Sequence, residues 1–281
     1  MNADSLQLDE RQRAMLEVMH VKVWQPVPMP QATPLAIKKV AVDAYSVRAE
    51  GQKAPEKQPE SRVEHRQTAL SSSTNGVETM DWPTLAQTVA NCRACTLCES
   101  RKNTVFGVGQ APAGPGLAPQ VDWLIVGEAP GENEDQQGEP FVGQAGKLLD
   151  NMLRAIGLDR RNQVYIANVL KCRPPANRNP EPHELVQCAP YLQRQIELLQ
   201  PKIILAMGRF AVNSMLQATV PDVHKLPLGK LRGQLHGFQS AGRTVPVVAT
   251  YHPAYLLRNL PDKAKAWADL CLAMDAMRRG S

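Results

Sequence analysis

The sequence predicts an α/β protein: a three-layer α/β/α sandwich around a four-stranded parallel sheet, behind a disordered N-terminal extension. Three observations predict it. Short apolar runs bounded by turn residues, Val121–Val126, Val164–Val169, Lys202–Met207 and Val245–Thr250, have the pattern of strands covered on both faces. Between and after them lie Gln144–Ile156, Glu181–Leu199, Phe210–Leu216 and Asp262–Arg278, with apolar residues at three- and four-residue spacing. Helices that return the chain by right-handed crossovers give the three layers. Finally, polar residues collect just after the strand runs, where ligands bind in such sheets.

Taken in order, Leu6–Val23 followed by Trp24 reads as a short amphipathic helix, so residues 1–24 form a candidate docking peptide for a replication or repair protein. Residues 25–80 are rich in Pro, Gln, Ser, Glu and Lys without a helical or strand period, as in Gln-Lys-Ala-Pro-Glu-Lys-Gln-Pro-Glu-Ser61. Such a stretch buries too little apolar surface to offset its ordering entropy and is expected to be a disordered linker. Residues 81–281 are expected to form one folded domain. Their charge supports a polyanion-facing side: residues 1–80 balance at ten basic against ten acidic, so the formal +5 resides in 81–281, and from Lys171 onward fifteen basic oppose seven acidic residues. No run approaches the eighteen apolar residues of a membrane span, and the opening residues lack the apolar core of a secretory signal. A reducing, cytoplasmic and nucleoid-associated location and a monomeric state are the matching expectations.

Four cysteines stand out. Cys92 and Cys95 form a Cys-x-x-Cys pair, Cys172 follows the second strand run, and Cys188 lies sixteen positions on in a helical stretch. Four thiolates can surround zinc or hold an iron–sulfur cluster, although the long second spacing is unlike a zinc ribbon. Cys98 could replace a neighbour as ligand, and Cys271 falls on the apolar face of the last helix.

The candidate site lies at the strand ends: Gly127-Glu-Ala-Pro-Gly-Glu-Asn-Glu-Asp135, Asn168 and His252-Pro253. The first loop resembles a phosphate cradle only superficially. It lacks Gly-x-Gly-x-x-Gly and Gly-Lys-Ser/Thr, Pro130 removes an amide, and Glu128, Glu132, Glu134 and Asp135 would repel phosphate. A cationic transition state or a neutral polar ligand suits it better.

These motifs resemble the family 4 uracil-DNA glycosylases, the iron–sulfur members of the uracil-DNA glycosylase superfamily, from about Leu85 to the C-terminus. The likeness is carried by Cys-Arg-Ala-Cys-Thr-Leu-Cys98, Phe106-Gly107, the loop 127–135, Gly138-Glu-Pro-Phe-Val-Gly-Gln-Ala-Gly-Lys-Leu-Leu149, Tyr165-Ile-Ala-Asn-Val-Leu-Lys-Cys-Arg-Pro-Pro-Ala-Asn177 and His252-Pro-Ala-Tyr-Leu-Leu-Arg-Asn259. The resemblance implies hydrolysis of the bond between uracil and deoxyribose after base flipping in single- or double-stranded DNA, leaving an abasic site. It implies Cys92, Cys95, Cys172 and Cys188 as ligands of a structural 4Fe–4S cluster, with Cys98 a bystander.

For the base it implies a site of Glu128, Ala129, Phe141, Asn168 and His252. His252 would hydrogen-bond a uracil carbonyl, Asn168 would read the edge separating uracil from cytosine, and Phe141 would stack. Glu128, Glu134 and Asp135 would face the sugar side, and a water held by Glu134 and Asn177 would attack. Ala129 stands where better-known uracil enzymes carry a water-activating aspartate, a residue family 4 generally lacks. Leu256, Leu257 and Arg258 match the wedge that fills the gap left by the flipped base, and Lys171, Arg173 and Arg178 would lie near DNA. The alternative is a non-catalytic iron–sulfur DNA-binding module that recruits a partner. A zinc deaminase would need His-x-Glu and Pro-Cys-x-x-Cys, which the chain lacks.

Overall fold

Side chains alternate along the strands between two apolar layers, and this alternation generates the architecture. In β2 (Trp123–Gly127), β3 (Val164–Asn168) and β4 (Ile203–Met207) every residue is buried. Leu124, Val126, Tyr165, Ala167, Ile204 and Ala206 pack on one face with Leu192, Ile196 and Leu199 of a helix spanning Pro182–Leu199. Trp123, Ile125, Val164, Ile166, Ile203 and Leu205 pack on the other with Leu149 and Met152 of the helix Gln144–Ala155, and with Trp267 and Leu270 of the helix Asp262–Gly280. The period of two along a strand puts successive residues on opposite faces, so an unbroken apolar run needs a helical layer on each side.

The computed structural model describes residues 76–112 and 121–280. The expected docking peptide 1–24 and linker residues 25–75 lie outside them. At the linker's expected end, Val77 is buried in an apolar cluster with Leu85, Val89 and Tyr191, so residues 76–80 join the domain. In chain order the described elements are α1 (Trp82–Ala90), α2 (Leu97–Ser100), β1 (Val108–Gly109), β2, α3 (Glu132–Gln137), α4 (Gln144–Ala155), β3, α5 (Pro182–Leu199), β4, α6 (Arg209–Leu216), α7 (Leu228–Leu231), β5 (Leu235–Ser240), β6 (Arg243–Thr250), α8 (Pro253–Leu256) and α9 (Asp262–Gly280). Helix α1 starts where Asp81 accepts the Thr84 amide at 3.0 Å, a side-chain N-cap.

The sheet has six strands in the order β1-β3-β2-β4-β6-β5. The expected four parallel strands are its centre, β3-β2-β4-β6, and two antiparallel edge strands extend the sequence reading. Strand β1 is two residues long, too short to carry a period. Strand β5 leads into β6 through a tight turn with Ala241 and Gly242 at positive φ, and its mostly exposed or half-buried pattern suits an edge. Strand β2 lies between β3 and β4, so the chain leaves it on one side and later returns on the other. The residues after β2, β3, β4 and β6 therefore surround one crevice at the carboxyl end of the sheet.

Candidate active site and cysteine cavity

The crevice is a cleft of about 760 Å³ lined by Glu128, Ala129, Gly131, Glu134, Phe141, Ala145, Asn168, Asn177, Asn179, Gly208, Arg209, Leu228, Gly229, Tyr251, His252, Ala254, Tyr255 and Arg258. Segments more than a hundred residues apart thus meet because four parallel strands end there.

Asn168 closes β3 opposite Gly127 of β2. It is 2% exposed, and its Oδ1 has no hydrogen-bond partner among the described residues. A buried acceptor left without a donor is costly, so this atom is poised for a ligand N–H. Gly127 makes room for it: a Cβ there would collide with the Asn168 carboxamide and the Phe141 ring. Phe141 sits at φ 55°, a left-handed conformation that a bulky residue adopts only when its surroundings impose it. Arg160 supplies part of that constraint. Its Nη2 donates to the Phe141 carbonyl at 3.0 Å while its Nε donates to Asp150 at 2.8 Å. Gly146 leaves space for the same carbonyl, which a Cβ would strike.

The rings of Phe141 and His252 stack, with centroids 5.3 Å apart and 28° between planes. His252 caps α8, its Nδ1 accepting the Ala254 amide at 3.2 Å. Burial of the imidazole, aided by Arg258 and opposed by Glu134, lowers its pKa to about 4. The ring is therefore neutral near pH 7, and because Nδ1 is the acceptor, the proton resides on Nε2. Burial also raises the carboxyl of Glu128, against the pull of Arg209.

The other acidic residues of the loop are committed elsewhere. The Glu134 carboxylate lines the cleft but accepts amides from Gly131 at 3.1 Å, Val142 at 3.0 Å and Gly143 at 3.2 Å, tying the two loops together. Asp135 corrects the expectation of a sugar-facing carboxylate. It is buried and accepts the Lys102 amide at 2.9 Å and the Asn103 amide at 3.3 Å, because α3 turns it away from the cleft. Asn177 lines the cleft, and its Oδ1 accepts from Arg173 Nε at 2.8 Å.

Two expected DNA contacts are corrected by burial. Lys171 is 1% exposed, with Nζ donating to the Asn168 carbonyl at 2.8 Å and to Gln195 Oε1 at 2.6 Å, so it faces the interior. Leu256 is 1% exposed within the α4–α9 layer, because the one-turn helix α8 directs it inward and leaves Leu257 42% exposed. Arg258 lines the cleft, Leu257 beside it in sequence is exposed, and Leu260, which the sequence reading missed, is a second exposed leucine on the same segment. Arg178 pairs with the buried carboxylate of Glu184, donating at 2.9 Å from Nη1, and Arg173 lies near Glu132 at 3.7 Å; both arginines are half-buried. Tyr251, Tyr255 and Arg209 line the cleft without having been predicted. Tyr251 directly precedes His252 and stacks on Tyr255 at 4.9 Å, a neighbourhood the motif itself could have suggested.

Beside this cleft, Cys92, Cys95, Cys98, Cys172 and Cys188 line a second cavity, and no disulfide joins them. Donors already point at the sulfurs: Arg101 Nη1 to Cys172 Sγ at 2.9 Å, Tyr191 Oη to Cys92 Sγ at 3.3 Å and the Lys171 amide to Cys188 Sγ at 3.3 Å. Burial pushes the Cys172 thiol up to about 11 and the Cys188 thiol up to about 12. A metal centre there must displace those protons on binding. Cys271 packs against the α4–α9 layer, away from this cavity. The one compact His/Asp/Glu group among the described residues, Glu181, His183 and Glu184, already engages Arg178.

Against known proteins, the family model for the uracil DNA glycosylase superfamily matches residues 115–271. Among curated relatives, the type-4 uracil-DNA glycosylase of Archaeoglobus fulgidus is 43% identical over 173 residues, covering 62% of this chain and 81% of that protein. The type-4 enzyme of Sulfurisphaera tokodaii is 42% identical over 176 residues, covering 62% and 75%. That of Pyrobaculum aerophilum is 39% identical over 193 residues, covering 69% and 93%.

Proposed function

The chain belongs to the uracil DNA glycosylase superfamily, and from that premise we propose that it excises uracil from DNA, as a hydrolase of DNA repair acting on the N-glycosidic bond. The observation that carries this reading is the convergence of an unpartnered Asn168 acceptor, a neutral His252 and the Phe141 ring in one cleft.

A uridine flipped from the helix would bring its base edge to Asn168, whose Oδ1 can accept from N3–H while Nδ2 donates to the adjacent carbonyl. Cytosine presents an acceptor at the ring nitrogen and a donor at the amine, so both contacts would be mismatched and the buried acceptor left alone. As the bond to C1′ breaks, the electron pair moves onto uracil. The neutral His252 can donate from Nε2 to the carbonyl where that charge gathers, without a full positive charge that must first be neutralised. Positive charge grows on the sugar, and the raised, cleft-facing carboxyl of Glu128 is suited to stabilise it in its ionised form and to orient the attacking water. Water adds to C1′ and gives up a proton to the solvent, while uracil departs as the anion and takes a proton from the solvent, so that OH ends on the sugar and H on the base. The bonding of Glu134 to three amides supports a positioning role for that residue, with Asn177 beside it as a second polar wall. Ala129 leaves the water without an aspartate at that position, so Glu128 carries the proposal for the sugar side.

The gathering of cysteines around one cavity supports an iron–sulfur centre held by Cys92, Cys95, Cys172 and Cys188. Such a centre would supply cross-linking rather than chemistry, fixing the segment before β1 and the loop after β3 to α5. The exposed Leu257 and Leu260, flanking the cleft-lining Arg258 in sequence, are proposed to fill the base stack, with Arg258 and Arg173 meeting the backbone. The cytoplasmic location and a partner for residues 1–24 remain part of the same proposal.

The test is an oligonucleotide carrying one uracil, incubated with anaerobically purified full-length protein and treated with alkali. Cleavage at the uracil, lost in His252→Ala, is the expected result. A cluster-loaded protein that binds this DNA and leaves the uracil in place would overturn the reading in favour of a recruitment module.

A further inference from the structure

Lys171 is a buried cation that the proposed chemistry does not use. Its Nζ meets two neutral acceptors, the Asn168 carbonyl at 2.8 Å and Gln195 Oε1 at 2.6 Å. Among the described residues no carboxylate pairs with it, burial works against its charge, and Cys188 and Cys172 would favour that charge once ionised. Its own amide donates to Cys188 Sγ at 3.3 Å, and its carbonyl accepts the Val105 amide at 2.8 Å. Gln195 is held in turn, its Nε2 donating to the Phe106 carbonyl at 3.0 Å, so its oxygen faces the lysine. An ammonium ion withdrawn from water needs a nearby negative charge, because two neutral acceptors replace only part of its hydration. Four cysteinates outweigh the positive charge of an iron–sulfur core and would supply that charge.

We infer that Lys171 is a positioning residue that links the cysteine-held centre to base recognition: the centre's negative charge holds the ammonium, and the ammonium holds the backbone of Asn168. This rests on the uracil-excision reading above and deepens it. Cys172 follows Lys171 directly and Asn168 precedes it by three residues, so one short segment carries a metal ligand, a cation and the base-reading amide. The residue that reads uracil is thereby held through its backbone carbonyl.

The test uses full-length protein and binding to DNA carrying 2′-fluoro-deoxyuridine, which resists cleavage, against the same DNA with thymidine. Iron and sulfide content are measured on each preparation. In Lys171→Met the preference for the uracil analogue should fall about tenfold, within the coupling range of residues sharing one hydrogen-bond network, with iron content and affinity for thymidine DNA unchanged. Lys171→Gln, which can still donate to the Asn168 carbonyl, should recover part of the preference and serves as the comparison if the methionine variant does not fold. Unaltered preference in both variants would overturn the inference, as would loss of iron in parallel with loss of preference, which marks a purely structural lysine. Wild-type protein without any preference for the analogue would instead count against the parent reading.

Discussion

The Ala254 amide donates to Nδ1 of His252 at 3.2 Å, and this single bond sets the proton on the opposite nitrogen, the one open to a ligand. Protonating the ring would break that bond. Since burial lowers the His252 pKa from 6.5 to about 4, excision should be flat in pH from about 8 down to about 5 with respect to this group and fall only near pH 4. Stability follows the same group. Between pH 6.5 and about 4 the unfolded chain binds a proton here that the folded chain does not, so stability is lost as the pH drops through that window, by at most about 3 kcal/mol. Denaturant melts from pH 7 to 4 should show a shallower loss in His252→Asn than in wild type. Equal slopes would remove His252 as the titrating group.

Gly127→Ala tests the close approach of β2 to the base site. The added Cβ would collide with the Asn168 carboxamide and the Phe141 ring. Excision should drop on the order of a hundredfold, the scale of a misplacement near 1 Å, while the thermal melt remains cooperative. A variant with wild-type rates would show that neither side chain needs its present place.

The two leucines of the His252 loop should separate. Leu256→Ala is expected to lose about 2–5 kcal/mol of stability, the usual result of truncating a buried leucine, because its side chain is in the α4–α9 layer. Leu257→Ala should leave the melt unchanged and slow excision from duplex DNA more than from single strands, since only the duplex needs a filler for its stack. If Leu257→Ala affected both substrates equally, a wedge role would fail for it.

Among the cysteines, Cys188→Ser should yield protein deficient in iron and sulfide, with a lower melting temperature. Cys98→Ser should load as wild type does. Cys98 lines the cavity too, so a reversed result would reassign the fourth ligand. Analysing the iron and sulfide of the two purified variants side by side decides between them.

The central strands were legible because each is a run of apolar residues stopped by glycine, proline or a polar residue, and that pattern has one physical origin, burial on both faces. Glu128, Asn168 and His252 were legible because they stand at the ends of such runs, whereas Phe141, between α3 and α4, was legible only through the resemblance. Lys171 was not. A lysine at a strand end reads as a surface charge, and only the packing of α5 against the loop after β3 makes it interior. Leu256 and Leu257 are indistinguishable in sequence, and one turn of helix separates them into a core residue and an exposed one. Glu134 belongs to an acidic loop whose composition suggests reaction chemistry, yet its partners are backbone amides, which no side-chain pattern reveals. Strand β5 escaped notice because an exposed edge has no burial period to display.

Helix α5 carries Cys188, Tyr191 and Gln195 at intervals of three and four residues, hence along one stripe. Through them it reaches the cysteine cavity, the Cys92 sulfur and the Lys171 ammonium. Adding one residue between Cys188 and Gln195 would turn everything beyond it by about 100° and detach one end of the stripe from its partners. In descendants of this chain the interval can therefore change in composition at its outward positions, but its length is heritable information in its own right, transmitted by counting residues rather than by their identity.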